Sequence, residues 1–249
     1  MKDVRLKIAA NENIALRTWK MVLEGDVDDV AVPGQFVEIA LEGRFLRRPI
    51  SVSDRTGNRI TLIYKVVGHG TDQMSGMKAG ESLQVLSGLG NGFDLDCNGT
   101  DLLLAGGGLG AAPLYWLAKE LVATGKKVTV ALGFNTAAEV VLEREFAELG
   151  VPCHIATLDG SAGIKGFVTD AIRHLVSSGS CKADYFYCCG PLVMMKAVCG
   201  ELDIPGELSM EERMGCGCGI CYGCTIMTTG GARRVCADGP VFKKADILL

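Results

Sequence analysis

Between Arg59 and Val66 the chain alternates, with Ile60, Leu62, Tyr64 and Val66 on one side and Arg59, Thr61, Ile63 and Lys65 on the other. That is the period of a mostly one-sided strand. The run follows Gly57-Asn58, and a similar run, Gln35 to Leu41, follows Pro33-Gly34. Short strands punctuated by turn residues in this way predict a small antiparallel barrel over residues 1–98.

From Asp101 the texture changes. Apolar runs (Leu102 to Ala105, Val128 to Leu132, Tyr185 to Cys188) alternate with helix-period segments, in which Leu114, Leu117 and Leu121 share one face, as do Val168, Ile172 and Leu175. Alternation of this kind predicts a parallel α/β domain over 99–205. After Pro205-Gly206 the chain is rich in Gly, Cys and Thr. The expectation for 206–249 is a third unit too short for a core of its own and in need of a metal or covalent staple.

Composition narrows the function classes. The chain has 249 residues, 48% of them hydrophobic, and a formal net charge of -4 with its cations spread along it. It lacks the basic stripe that grips a phosphate backbone, so nucleic acid is not an expected partner. The opening Met1 to Lys7 has no apolar h-region, and no apolar run approaches the ~18 residues that cross a bilayer. A cytoplasmic protein with no membrane partner is expected.

Five of the eleven cysteines crowd into the segment from Cys216 to Cys236, which in a reducing compartment points to metal rather than disulfides. Cys216, Cys221, Cys224 and Cys236 follow C-x4-C-x2-C…C, the plant-type [2Fe-2S] spacing. Soft anionic sulfur suits both iron oxidation states, and the interleaved glycines let the backbone curl round a cluster. A structural zinc site and a [4Fe-4S] run through Cys218, Cys221 and Cys224 remain alternatives; the latter meets Thr228 where a fourth cysteine is needed, and Cys236 stands alone where zinc ribbons have a second knuckle. Cys218 is left over, and can also stand in for Cys216.

Arg48-Pro49-Ile50-Ser51 sits where a strand should begin, and Gly68-His69-Gly70-Thr71 precedes a short helical stretch. Together they resemble the FAD-binding barrel of the ferredoxin-reductase superfamily. The resemblance implies that Arg48, Pro49, Ile50, Ser51 and Tyr64 contact the flavin, and that the Gly70-Thr71 loop gives amides and a hydroxyl to its diphosphate. A fixed cation beside unpaired amides is what a diphosphate seeks. Each residue alone reads as a turn glycine or a surface cation; their order and spacing carry the signal.

Gly106-Gly107-Gly108-Leu109-Gly110 follows a strand and opens a helix, the kind of turn that brings dinucleotide phosphates to backbone amides. The acidic residue that usually closes the second strand is missing, since that strand ends Gly133-Phe134-Asn135. Cys189-Gly190-Pro191 with Met194 resembles the nicotinamide-side loop of the same superfamily, which implies that Cys189, Gly190 and Pro191 also serve the nucleotide.

The segment Glu211 to Gly217 with Cys221 and Cys224, closing with Val235 to Phe242, is similar to the electron-transfer subunits of NAD+-linked (type B) dihydroorotate dehydrogenases, as are Asp159-Gly160-Ser161, Lys165-Gly166 and Val168-Thr169-Asp170. The resemblance covers essentially the whole chain. It implies FAD, a [2Fe-2S] cluster and NAD(H), no acid-base dyad, and an FMN-bearing catalytic partner in a heterotetramer of two of each chain, serving pyrimidine biosynthesis. Two alternatives remain: the small subunit of an electron-bifurcating NADH-dependent ferredoxin:NADP oxidoreductase, in which Asp typically stands at the position of Cys216, and a zinc-stapled binding module without enzymatic activity.

Overall fold

The computed structural model describes residues 1–249. Strands β1 (Lys2–Ala15), β2 (Thr18–Glu24), β3 (Phe36–Ala40), β4 (Arg48–Thr56) and β5 (Arg59–Lys65), a helix α1 (His69–Gly76) and strand β6 (Ser82–Leu89) form the first unit. The six strands close into an antiparallel barrel in the order β1-β2-β5-β4-β3-β6. Alternate residues fill it: Val37, Ile39, Ile60, Leu62 and Tyr64 point inward and are buried. Ile63, on the other face of β5, is buried as well, because the next domain covers that face and takes Ile63 into the core of Leu102 and Leu104.

The second unit runs β7 (Asp101–Gly107), a 3-10 turn over Gly108–Gly110, α2 (Ala111–Ala123), β8 (Lys127–Phe134), α3 (Glu143–Glu148), β9 (Cys153–Thr157), β10 (Ile164–Lys165), α4 (Val168–Ser177), β11 (Tyr185–Cys189), α5 (Leu192–Glu201) and β12 (Gly206–Ser209). Then follow β13 (Thr225–Thr228), β14 (Gly231–Arg234), α6 (Val235–Asp238) and β15 (Val241–Lys243). The large sheet has the order β10-β9-β8-β7-β11-β12-β15, parallel from β10 to β12. The chain winds outward from β7 in one direction and returns through β11 in the other, so the switch point, where open α/β sheets bind ligands, lies between the carboxyl ends of these two strands.

Residues 206–249 are less separate than their composition suggests. β12 extends the parallel sheet, and β15 pairs antiparallel with it, Leu208 opposite Phe242. Cys224, Val235, Cys236 and Phe242 are buried in one core with Leu103, Phe186 and Leu208. A segment too short for its own core borrows that of the sheet, so only the stretch between β12 and β15 projects as a distinct loop unit. No helix is long and apolar enough to cross a membrane.

Candidate functional site

Four thiols of the projecting loop form two neighbouring pairs. The Cys221 amide donates to Cys216 Sγ at 3.4 Å, and the Cys236 amide donates to Cys224 Sγ, also at 3.4 Å. The Gly219 amide donates to Cys236 Sγ at 3.1 Å and that of Gly223 to Cys221 Sγ at 3.4 Å. Partial burial pushes the Cys216 thiol up, but amides of Cys221, Cys218 and Ile220 outweigh it and hold the group down at about 6. Burial, with the shared hydrogen bond to Cys224, pushes Cys236 up to about 12.

No three Cys, His, Asp or Glu side chains converge on one ion position. The arrangement is two pairs of soft donors with amides aimed at sulfur, which fits a two-iron cluster held by two thiolates per iron. Cys218 reaches the first pair through Cys216. Cys221 is exposed while Cys224 and Cys236 are buried, so the loop presents one edge of the site to the surface.

The flavin candidates meet in a cleft of about 410 Å³, within the size range of ligand pockets. Ile50, Ser51 and Tyr64 supply the barrel wall, Pro113 and Cys189 the sheet wall, and Met214 and Pro240 the edge nearest the cysteines. Tyr64 is held by a 3.0 Å hydrogen bond from its hydroxyl to Asn11, and burial pushes that phenol up to about 12. Past Arg48 and Pro49 the cleft opens into a groove between the Gly43–Pro49 segment and Glu211–Met214. An apolar cleft running into a groove with a cation suits an elongated flavin dinucleotide.

Arg48 lies against the start of α1. A Cβ on Gly70 would stand 2.0 Å from Arg48 Nε, so only glycine admits the guanidinium there. The first turn of α1 leaves amides without intrahelical partners beside that charge. The Thr71 hydroxyl accepts from the amides of Val67 (2.9 Å) and Gly68 (3.3 Å) and thereby shapes the loop.

The two nucleotide signals come together across the switch point. Gly106 pairs with Cys189 in the sheet. A Cβ on Gly110 would be 2.0 Å from the Cys189 carbonyl oxygen, and one on Gly107 would be 2.3 Å from Met194 Sδ. Gly190 backs onto Gly107, Gly108 faces open space, and Pro191 leads into α5. Burial pushes the Cys189 thiol up, which makes it a neutral wall rather than a nucleophile.

Two acids absent from the sequence reading belong here. Glu139, in the turn after β8, accepts from Lys65 at 2.7 Å and from the Asn135 side chain at 2.8 Å. It places a carboxylate five positions past the strand end, where Gly133-Phe134-Asn135 has none. Glu38, on β3, is 1% exposed and faces Gly217. Burial, then the neighbouring Cys216 thiolate, pushes its carboxyl up to about 7 against the pull of Arg47. Of the histidines, His69 and His174 are exposed, and His154 is half-buried on β9.

Two family profiles match. Residues 104–200 match the oxidoreductase NAD-binding domain, and residues 211–248 match the iron-sulfur cluster binding domain of dihydroorotate dehydrogenase B. Dihydroorotate dehydrogenase B (NAD(+)) electron transfer subunits resemble the chain throughout: that of Geobacillus sp. (strain WCH70) is 43% identical with 100% of both chains covered, and that of Fusobacterium nucleatum 42% with 99% of both. A solved NADH-dependent reduced ferredoxin-NADP oxidoreductase, a flavin-based electron-bifurcating enzyme, superposes with a TM-score of 0.87 at 31% identity, covering 98% of this chain and 89% of that one. Full-length identity above 40%, together with the cysteine loop and the glycine turn in place, shows that the chain belongs to the family of dihydroorotate dehydrogenase B electron transfer subunits.

Proposed function

We propose that this chain carries electrons between NAD(H) and a separate dihydroorotate-oxidising subunit that bears FMN, with FAD in the cleft and a [2Fe-2S] cluster on Cys216, Cys221, Cys224 and Cys236. The observation that carries this reading is the make-up of the cleft: the barrel, the nucleotide switch point and the segments flanking the cysteine loop all line it. A flavin there would lie between the candidate nucleotide turn and the cysteine loop.

Bound in these sites, FAD exchanges a hydride with nicotinamide and the cluster passes single electrons, so the flavin joins two-electron to one-electron chemistry. The chain's own residues bind and exclude. Arg48 and the α1 amides hold the diphosphate, and Ile50, Ser51 and Tyr64 seat the ring. Gly106 to Gly110 with Cys189 to Pro191 would admit the nucleotide to close range, and Cys216, Cys221, Cys224 and Cys236 would hold the cluster, two of them from buried positions. No side chain need move a proton. The assembly proposed is a cytoplasmic heterotetramer of two copies of each chain.

The test is co-expression with an FMN-dependent dihydroorotate dehydrogenase catalytic subunit. A coloured complex that couples dihydroorotate oxidation to NAD+ reduction is expected. The likeness to the bifurcating oxidoreductase supports a second reading, and a chain that stays apart from that subunit and reduces ferredoxin instead would put it first.

A further inference from the structure

Glu38 is buried at 1% exposure, and neither carboxyl oxygen has a hydrogen-bond partner in the chain. Its neighbours on β3 show how it is aimed: Val37 and Ile39 point into the barrel, whereas Phe36 joins the core that holds Cys224 and Cys236. Glu38 shares the outward side with Phe36, and a register shift between these two residues in the β3–β6 pairing turns the strand at this point. Outward here means toward the cysteine loop. A Cβ on Gly217 would lie 2.6 Å from Glu38 Cδ, and Gly217, at φ +66, sits between Cys216 and Cys218.

On the strand side Glu38 is opposite Pro49, the second residue of the flavin segment. It therefore stands between the two candidate redox sites. The nearby Arg47 is engaged by Asp3 at 3.0 Å. A polar group buried this deeply without a partner is costly, so its partner is expected among atoms outside the polypeptide.

We propose that Glu38 is a positioning residue for the iron-sulfur cluster: its carboxyl makes a polar contact with the cluster itself and thereby fixes how the loop around Gly217 holds the iron. This rests on the cluster reading above.

The test uses the full chain with its flavin, as wild type, Glu38→Gln, Glu38→Asp and Glu38→Leu. Iron and sulfide content, the electron paramagnetic resonance spectrum of the reduced protein, the cluster midpoint potential and the rate of iron loss to a chelator are measured, with flavin content as control. Glu38→Leu is expected to alter the spectrum, shift the midpoint and speed iron loss severalfold at unchanged flavin content, and Glu38→Gln to restore most of each. A wild-type spectrum and iron-loss rate in Glu38→Leu overturns the proposal. Should that variant give no soluble chain, the same result in Glu38→Asp, whose carboxyl is withdrawn from Gly217 by one methylene, does so. A wild-type chain without iron, sulfide or a cluster signal removes the cluster reading itself, and this inference with it.

Discussion

Lys65 Nζ lies 2.7 Å from Glu139 Oε1, an ion pair between the last residue of a barrel strand and the turn after β8. With Asn135 on its other oxygen, the carboxylate is fixed beyond the carboxyl end of the second strand of the α/β domain. In such sheets that is where the adenosine ribose binds, and a carboxylate there favours free hydroxyls and repels a 2′-phosphate. Glu139→Ala should therefore narrow the preference for NADH over NADPH by about fivefold, the worth of one partly screened charge at ~1 kcal/mol. The ratio of flavin reduction rates at low nucleotide concentration measures it. An unchanged ratio would place the specificity elsewhere.

The same pair has a defined response to acid. The hydrogen bond from Lys65 holds the Glu139 carboxyl below its ordinary value of 4.5, despite the opposing effect of burial. A depressed carboxyl stabilises the fold above its unfolded value, and the contribution is lost as pH falls through the folded value. Wild type should exceed Glu139→Gln in melting temperature at pH 7, by less than about 1 kcal/mol of stability for a partly exposed pair, and the two should converge once the pH has fallen through the depressed folded value. A gap that persists in acid would assign the effect to packing.

Cys224→Ser should abolish the cluster, since Cys224 is buried and forms one pair with Cys236. Flavin binding should survive, because Cys224 does not line the cleft. Cys218→Ser should keep wild-type iron. Iron analysis beside the flavin absorbance separates these outcomes, and loss of iron in Cys218→Ser but not Cys216→Ser would move the first ligand to Cys218.

Gly110→Ala sets a methyl against the Cys189 carbonyl, backbone against backbone, where no side chain can yield. Overpacking of this kind costs about 1–3 kcal/mol. It should part the glycine turn from β11, weaken NADH binding roughly tenfold and lower the melting temperature. Titration calorimetry with NADH reads the first effect. Tight binding in the variant would show that the turn is not where the nucleotide lands.

What was legible in the sequence was local. The alternation of Ile60, Leu62 and Tyr64 reported a barrel face, and the glycine run reported a strand-to-helix turn, because each depends on near neighbours. Ile63 read as a polar-side position because its cover is a different domain. Glu38 gave no signal, since its burial comes from Gly217, far along the chain. Glu139 gives no local signal because it lies beyond the strand, and only the folded turn brings it back to Asn135.

Ile220, Tyr222 and Met227 are 78%, 66% and 62% exposed, an apolar surface beside the exposed Cys221. Tyr222 does not sink into the sheet; its ring is covered on one side by Arg234 at 5.1 Å. A patch of this kind suits a contact with another protein, and the prediction places the catalytic subunit there. Tyr222→Glu should weaken assembly with the catalytic subunit about tenfold while leaving the flavin spectrum intact. Size-exclusion chromatography of the mixed subunits shows it, and undiminished complex would move the interface off this loop.

The pairing of β12 with β15 has a bearing on how the protein is made. The cysteine loop leaves the sheet and rejoins it on adjacent strands, so its two ends are clasped by backbone hydrogen bonds of the polypeptide itself. Small metal-stapled domains fold only as the ion arrives. Here the clasp predicts a polypeptide that folds first, with Cys221 facing outward as the accessible thiol and iron and sulfide delivery as a late maturation step.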